Sequence, residues 1–241
     1  MLWLLEHVNQ IFFSELAPYL PLLCAKRRER VGSIRREQDR VQSVLAELLL
    51  RHALAQEYGF TEIPAIAEGE KGKPFFPGRS DLHFNLSHCG TAVACALDAA
   101  PVGVDVQEYR KLRRAAAPLA ATDRLQPVDP VCEDRHRLST PPAYRILSGT
   151  ERAWVEAGDT PEEQDRRFTA VWTCKEAFGK ATGKGIHYEM KDTEFLPGKK
   201  PWRQYGYCFQ QFWCPDAVLT LCASAPLPCI VVNRKDISEL R

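Results

Sequence analysis

Two stretches of the chain carry residue types that could do chemistry together. The first is Phe168 to Gly185, FTAVWTCKEAFGKATGKG. At about 100° per residue, Val171, Cys174, Phe178 and Ala181 share an apolar face, while Trp172, Glu176 and Lys180 form a separate stripe. Glu176 and Lys180 are four apart, so their Cβ atoms lie roughly 5–6 Å from each other. Gly183 and Gly185 suit a helix end, where positive φ is needed. An ordinary solvated ion pair explains the stripe as well as catalysis does. The second stretch is GVDV at 103–106, which sets Asp105 on a strand between Val104 and Val106. A carboxylate there is costly to bury unpaired, so it caps a turn or binds a cation. Two carboxylates from separate elements, completed by phosphate oxygens and water, suit Mg2+, which keeps few protein ligands. Calcium would want more oxygens than these motifs supply.

Other polar groups are less specific. FNLSHCG at 84–90 puts Ser87 and His88 in the turn between two strands. Adjacent residues of an extended chain point to opposite sides, so they are not a nucleophile–base pair. A solvated hairpin histidine is the bland reading, and a pair of groups hydrogen-bonding an anion the functional one. GEKGKPFF holds Lys71 and Lys73 in a turn, and Pro74 keeps Lys73 extended. ATGKGI fails the phosphate-loop spacing, which argues against a nucleotide-dependent kinase or ligase.

The elements that must position these groups follow from pattern. The 241 residues are 45% apolar and 26% charged, enough for a real core in one large domain or two small ones. A formal net charge of +1 gives no global basic field, so nucleic acid is not an expected partner. Lys26 to Arg40 is locally rich in Lys and Arg, an anion-attracting segment. Nine cysteines without a CxxC pair or zinc spacing fit a reducing cytoplasm rather than a disulfide scaffold. The N-terminus lacks a basic leader and a cleavage site, and no run reaches the ~20 apolar residues of a membrane span. A soluble cytoplasmic protein is expected, with no membrane partner.

Leu2–Val8 reads as a strand, Ile11–Leu20 as a short helix, and Glu37–Tyr58 as a long helix ended by Gly59. A loop over Glu68–Gly78 precedes strands at Leu82–Leu86, Thr91–Leu97 and Val102–Val106. Lys111–Ala143, rich in Ala, Pro and Arg, reads as an irregular connection with one short helix near Leu112–Ala121. SGTE at 148–151 looks like a capped start for a helix through Val155, and Pro161 with two glutamates precedes the 168–185 helix. Strands are expected at Asp192–Leu196, Gln204–Phe209, Ala217–Ala223 and Ile230–Asn233. A long helix followed by strands thus occurs twice, which suggests two similar halves. The expected fold class is α+β: two pseudo-symmetric subdomains, each a long helix packed on a small, mostly antiparallel sheet. Residues 1–106 would form one half, 107–145 the connection and 146–241 the other half.

Taken in order, GKP at 72–74, FNLSH at 84–88, GVDV at 103–106 and WTCKEAFGK at 172–180 make the chain resemble a 4′-phosphopantetheinyl transferase of the larger, surfactin-synthetase-activating type. The resemblance covers most of the chain and implies a pseudo-dimer with its active site at the junction of the halves. It implies transfer of 4′-phosphopantetheine from coenzyme A to a serine of an apo acyl or peptidyl carrier protein, with Mg2+, release of 3′,5′-ADP and a monomeric enzyme. By the same resemblance Asp105 and Glu176 are the magnesium-binding acids, Lys180 lies near the pyrophosphate, and Lys175 is the lysine of the WxxKE motif. Lys73 and Pro74 line the coenzyme A adenine and phosphate, and Ser87 and His88 contact its phosphates. Arg27, Arg30 and Ser43 fall where the 3′-phosphate is held.

The chain departs from the pattern at Gln107, where many relatives carry a second acid. Gln107 can hold a metal-bound water but cannot act as a base, so that task passes to Glu176 or a water it orients. The long 111–143 stretch is a second departure and adjoins the region that meets the carrier. A non-catalytic coenzyme A-binding or carrier-docking relative is the alternative to an enzyme.

Overall fold

The computed structural model describes residues 1–112, 142–185, 190–198, 200–226 and 232–240. Strand β1 (Leu2–Glu6) comes first, followed by α1 (Ala25–Ser33) and the long α2 (Glu37–Tyr58). The two-residue strands β2 (Ala67–Glu68) and β3 (Pro74–Phe75) precede β4 (His83–His88), β5 (Ala92–Asp98) and β6 (Val102–Glu108). Helices α3 (Gly149–Glu156) and α4 (Pro161–Thr182) follow, then β7 (Trp202–Gln204), β8 (Tyr207–Trp213), β9 (Ala217–Ala223) and β10 (Val232–Lys235). The α+β expectation holds: helices pack on small sheets whose pairings are antiparallel except β1 with β10.

The first sheet runs β10-β1-β5-β4 and the second β6-β9-β8-β7. Alternation along the strands gives each sheet two buried faces. Leu2, Leu4, Ala94 and Ala96 of the first sheet meet Val102, Val104, Val106, Leu219 and Leu221 of the second. On the other side Trp3, Leu5, Val93 and Cys95 pack against Val44, Leu45, Leu48 and Leu49 of α2. Cys174, Ala177, Phe178 and Ala181 of α4 meet Phe209 and Cys222 of the second sheet. The layers are therefore helix, sheet, sheet, helix. Strand β6 belongs to the sheet built from residues after 200, and β10 returns to pair with β1.

Several boundaries differ from the expected ones for local reasons. β1 stops at Glu6 because His7 takes a left-handed conformation (φ 59°). The expected helix at 11–20 is a 3-10 helix over Phe13–Leu22, where Pro18 and Pro21 remove the donors an α-helix needs. α2 ends where expected, at left-handed Gly59. α4 begins earlier than expected: Thr160 Oγ1 accepts from Glu163 N–H (3.1 Å), and Pro161 and the two glutamates form its first turn. Gln204–Phe209 is not one strand but a hairpin, turned at Tyr205 and Gly206, both with positive φ. No strand forms at 192–196; Phe195 N–H donates to Glu151 (2.7 Å), while the Thr193 and Glu194 carbonyls accept from Lys175 and Gln204. The expected helix at 112–121 lies outside the described residues beyond Leu112, as do most of the 111–143 connection and the first two residues of the Ile230–Asn233 strand.

Candidate functional site

The site forms where the edge of one sheet meets the edge of the other. β6 pairs with β9 on one side only, and its other edge faces β4. Side chains take the place of a backbone ladder there. Asn85 Oδ1 accepts from Val104 N–H (2.8 Å) and Ser87 Oγ from Val106 N–H (3.2 Å). Lys73 Nζ donates to Val102 O (3.2 Å) and Lys180 Nζ to Val104 O (3.1 Å). An edge strand's free N–H and C=O groups must be satisfied when buried. Here residues from both halves of the chain satisfy them.

Asp105 faces α4 from β6, on the same side as Gly103. Gly103 is needed because a β-carbon there would lie 2.1 Å from Ala177 O and 2.4 Å from Ala181 N. That contact brings Lys180 onto Asp105: Nζ lies 2.7 Å from Oδ1, and Ser87 Oγ donates to the same oxygen at 3.0 Å. Lys180 Nζ also donates to Ser87 Oγ (3.1 Å). Ser87 is therefore committed inside the junction as a brace between Asp105, Lys180 and β6. Asp105 is buried, and its Oδ2 has no hydrogen-bond partner among the described residues.

Glu176 stands one turn before Lys180. Burial, and then the charge of Asp105, push its carboxyl above the ordinary 4.5, with Lys180 and Arg110 opposing. The predicted stripe Trp172, Glu176, Lys180 is thus the side of α4 that faces the end of β6. Arg110 completes that side. Its Cζ lies 3.9 Å from the centre of the Trp172 ring, its guanidinium donates to Gln107 Oε1 (3.2 Å), and its N–H donates to Thr169 Oγ1 (2.8 Å). Burial lowers the Arg110 pKa, while Asp105 and Glu176 favour its charged form.

A cavity of about 230 Å3 has Lys26, Arg27, Arg30, Glu47, Pro74, Phe84 and Leu86 on its walls, Pro74 and Leu86 being the chain neighbours of Lys73 and Ser87. Arg27 donates to Ser43 Oγ (3.3 Å) and to Glu47 (2.9 Å), and Arg30 shares the cavity wall with Arg27. His88 is exposed at the end of β4. The surrounding protein and then Lys180, Arg27 and Arg30 hold its imidazole below the ordinary 6.5, Asp39 opposing. Cationic groups thus run from the cavity to the carboxylates.

Two predicted residues lie elsewhere. Lys175 points away from Asp105; it is fully buried and paired with Glu151 at 2.8 Å. Lys73 turns its amine into the junction, where it also bonds Ala181 O at 3.1 Å, and burial lowers its pKa. Pro74, beside it, does line the cavity. The sequence reading missed Asn85, two residues before Ser87 and so on the same face of β4. It missed Glu47, one helical turn after Ser43, and Glu151, which reads as a simple capping-box residue.

The arrangement suits a hard divalent cation in one respect: Asp105 Oδ2 is a buried, unpartnered oxygen next to a second carboxylate. Among the described residues no group of three or more His, Cys, Asp and Glu could hold a metal. A cation here would need ligand oxygens from a substrate.

Residues 101–222 match the family described as the 4′-phosphopantetheinyl transferase superfamily. The chain is similar to a 4′-phosphopantetheinyl transferase of Bacillus subtilis, 28% identical over 90% of this chain and 88% of that protein. It is also similar to 4′-phosphopantetheinyl transferase Sfp of Bacillus subtilis strain 168 (27% identical, 75% of this chain) and to 4′-phosphopantetheinyl transferase psf-1 of Bacillus pumilus (32% identical, 70% of this chain). It spans 66% and 62% of those two proteins' lengths.

Proposed function

The chain belongs to the 4′-phosphopantetheinyl transferase superfamily, and from that premise we propose that it moves 4′-phosphopantetheine from coenzyme A to a serine of an apo acyl or peptidyl carrier protein. The observation that carries this reading is the junction itself. Asp105 of β6 and Glu176 and Lys180 of α4 share one centre, next to a cationic cavity of a size to take part of a nucleotide.

Arg27, Arg30 and Ser43 hold the 3′-phosphate, with Glu47 fixing the direction of Arg27. Pro74 walls the adenine side. His88 and Lys180 face the pyrophosphate. The carrier's serine oxygen attacks the β-phosphorus, the bond to the bridging oxygen breaks, and 3′,5′-ADP leaves. Transfer of this kind depends mainly on positioning and charge stabilisation. Mg2+ held by Asp105 and Glu176 would supply Lewis-acid stabilisation of the pyrophosphate charge. Glu176, directly or through a water it orients, accepts the serine proton. Lys180 neutralises charge on the departing 5′-phosphate oxygen of 3′,5′-ADP. Ser87 keeps Lys180 and Asp105 in register. The two helix-and-sheet halves are pseudo-symmetric relatives, so one chain makes the whole centre and acts as a monomer in the cytoplasm. Among the described residues no helix is long and apolar enough to cross a membrane.

The test is to incubate the protein with coenzyme A, Mg2+ and apo carrier proteins of fatty-acid, polyketide and peptide type, and to weigh the carriers. One phosphopantetheine should be gained. Glu176→Gln and Asp105→Ala should each slow the gain by at least ~10²-fold, the usual scale for losing a general base or charge stabiliser. No gain on any carrier, with coenzyme A still bound, would instead identify a binding-only protein.

A further inference from the structure

The side of the carboxylate pair next to Gln107 has a construction of its own. Gln107 is two residues after Asp105 on β6, so both side chains leave the same face of the strand. The oxygen of its amide is its sole atom able to ligate a hard cation. That oxygen accepts from the Arg110 guanidinium at 3.2 Å. The guanidinium is not a loose surface group. It stacks on Trp172 with Cζ 3.9 Å from the ring centre, and the Arg110 backbone is tied to Thr169 of α4 at 2.8 Å. Trp172 is one turn before Glu176 on the same stripe of α4, and Arg110 lies within electrostatic reach of both Asp105 and Glu176.

A planar, permanently charged fork held in this way has two effects. It occupies the amide oxygen, and it sets a positive charge beside the position a cation would take if Gln107 were a ligand. Like charges that close repel strongly in a half-buried site. What this side offers instead is N–H groups, from the amide of Gln107 and from the guanidinium edge that has no partner among the described residues. Such an edge suits anionic oxygens.

Resting on the transferase reading above, we propose that Arg110 is a positioning residue: it bars Gln107 from the metal, turns that side into a donor edge for phosphate oxygens, and leaves Asp105 and Glu176 as the protein's two metal ligands. The consequence is specific to this pair. A carboxylate introduced at position 107 would be captured by Arg110 and would not reach the metal unless Arg110 were also removed.

Mn2+ binding in the presence of coenzyme A, followed by electron paramagnetic resonance, tests this without relying on turnover. Gln107→Glu is isosteric and should change Mn2+ affinity by less than about threefold, since the new charge pairs with Arg110. Gln107→Glu combined with Arg110→Ala should tighten Mn2+ by about tenfold or more, a modest share of one new charge contact at this depth. Gln107→Glu with Arg110→Lys, which keeps the charge but loses the fork, should fall between the two. Equal tightening in Gln107→Glu alone and in the double variant would overturn the proposal. So would equal Mn2+ affinity in all three variants while Asp105→Ala abolishes binding. If Asp105→Ala binds Mn2+ as the unaltered protein does, the fault lies in the metal assignment of the transferase reading itself, and the proposal falls with it.

Discussion

Replacing Glu151 by Gln removes the charge that compensates a fully buried lysine, Lys175. Glu151 and Lys175 are both fully buried, 2.8 Å apart. Glu151 also accepts from Phe195 N–H and Ser148 N–H, each at 2.7 Å, so one carboxylate joins the start of α3, the middle of α4 and the segment after residue 193. Removing one partner of such a pair strands the other charge and costs about 3–5 kcal/mol. In a chain of this size 1 kcal/mol lowers Tm by about 2–4 °C. Glu151→Gln should therefore lower Tm by roughly 6–20 °C. Lys175→Met should be milder, on the order of 2 kcal/mol, because Glu151 keeps its two backbone donors and the methionine keeps the packing of the stem. The double variant should lose less than the sum of the two, since neither charge is then left alone. Urea and thermal unfolding give these numbers. Carrier modification measured well below each variant's Tm shows what remains of activity, and Lys175→Met should retain most of it. A Lys175→Met protein as stable as the parent but inactive would refute the reasoning. It would show that Lys175 acts on the reacting groups despite its burial.

Two further outcomes are expected. Gly103→Ala would press a methyl into the backbone of α4, within 2.1 Å of Ala177 O. The helix must then move away from β6, which should destabilise the protein by more than ~2 kcal/mol and separate Lys180 from Asp105; unchanged stability and transfer rate would contradict the close-packing argument. Below pH 6.5 the chain should lose stability through His52, whose pKa is lowered by burial and then by Lys235, with Glu239 opposing. The unfolded chain binds the proton first, so stability falls as pH drops from the ordinary value to the lowered one. His52→Gln should flatten that part of an unfolding-versus-pH curve.

What could be read from the sequence was what repeats locally. The stripe Trp172, Glu176, Lys180 and the apolar face of α4 followed from helical periodicity alone, and Asp105 from its place between valines. α2 and its glycine stop were legible for the same reason. What escaped was what depends on distant partners. Lys175 adjoins Glu176 in sequence but lies about 100° further round the helix, and its burial depends on residues 193–195 folding over it. The 192–196 segment has strand-like composition, yet side chains take its backbone groups. The Tyr205–Gly206 turn was hidden because tyrosine rarely takes positive φ. Asn85 and Ser87 gain their meaning from β6, an edge strand that nothing in their own stretch reveals.

The return of β10 to β1 has a consequence for how the protein is made. Leu2–Leu5 pair with Val232–Lys235, across nearly the whole chain. Until a ribosome has passed residue 235, one edge of the first sheet is an open row of backbone donors and acceptors, which is a template for pairing with other chains. Contacts so distant in sequence also slow folding, because the loop must close before they can form. A nascent chain halted between residues 112 and 202 would hold α2 and its three strands without the second sheet that covers them. Such a fragment is the species a chaperone would meet.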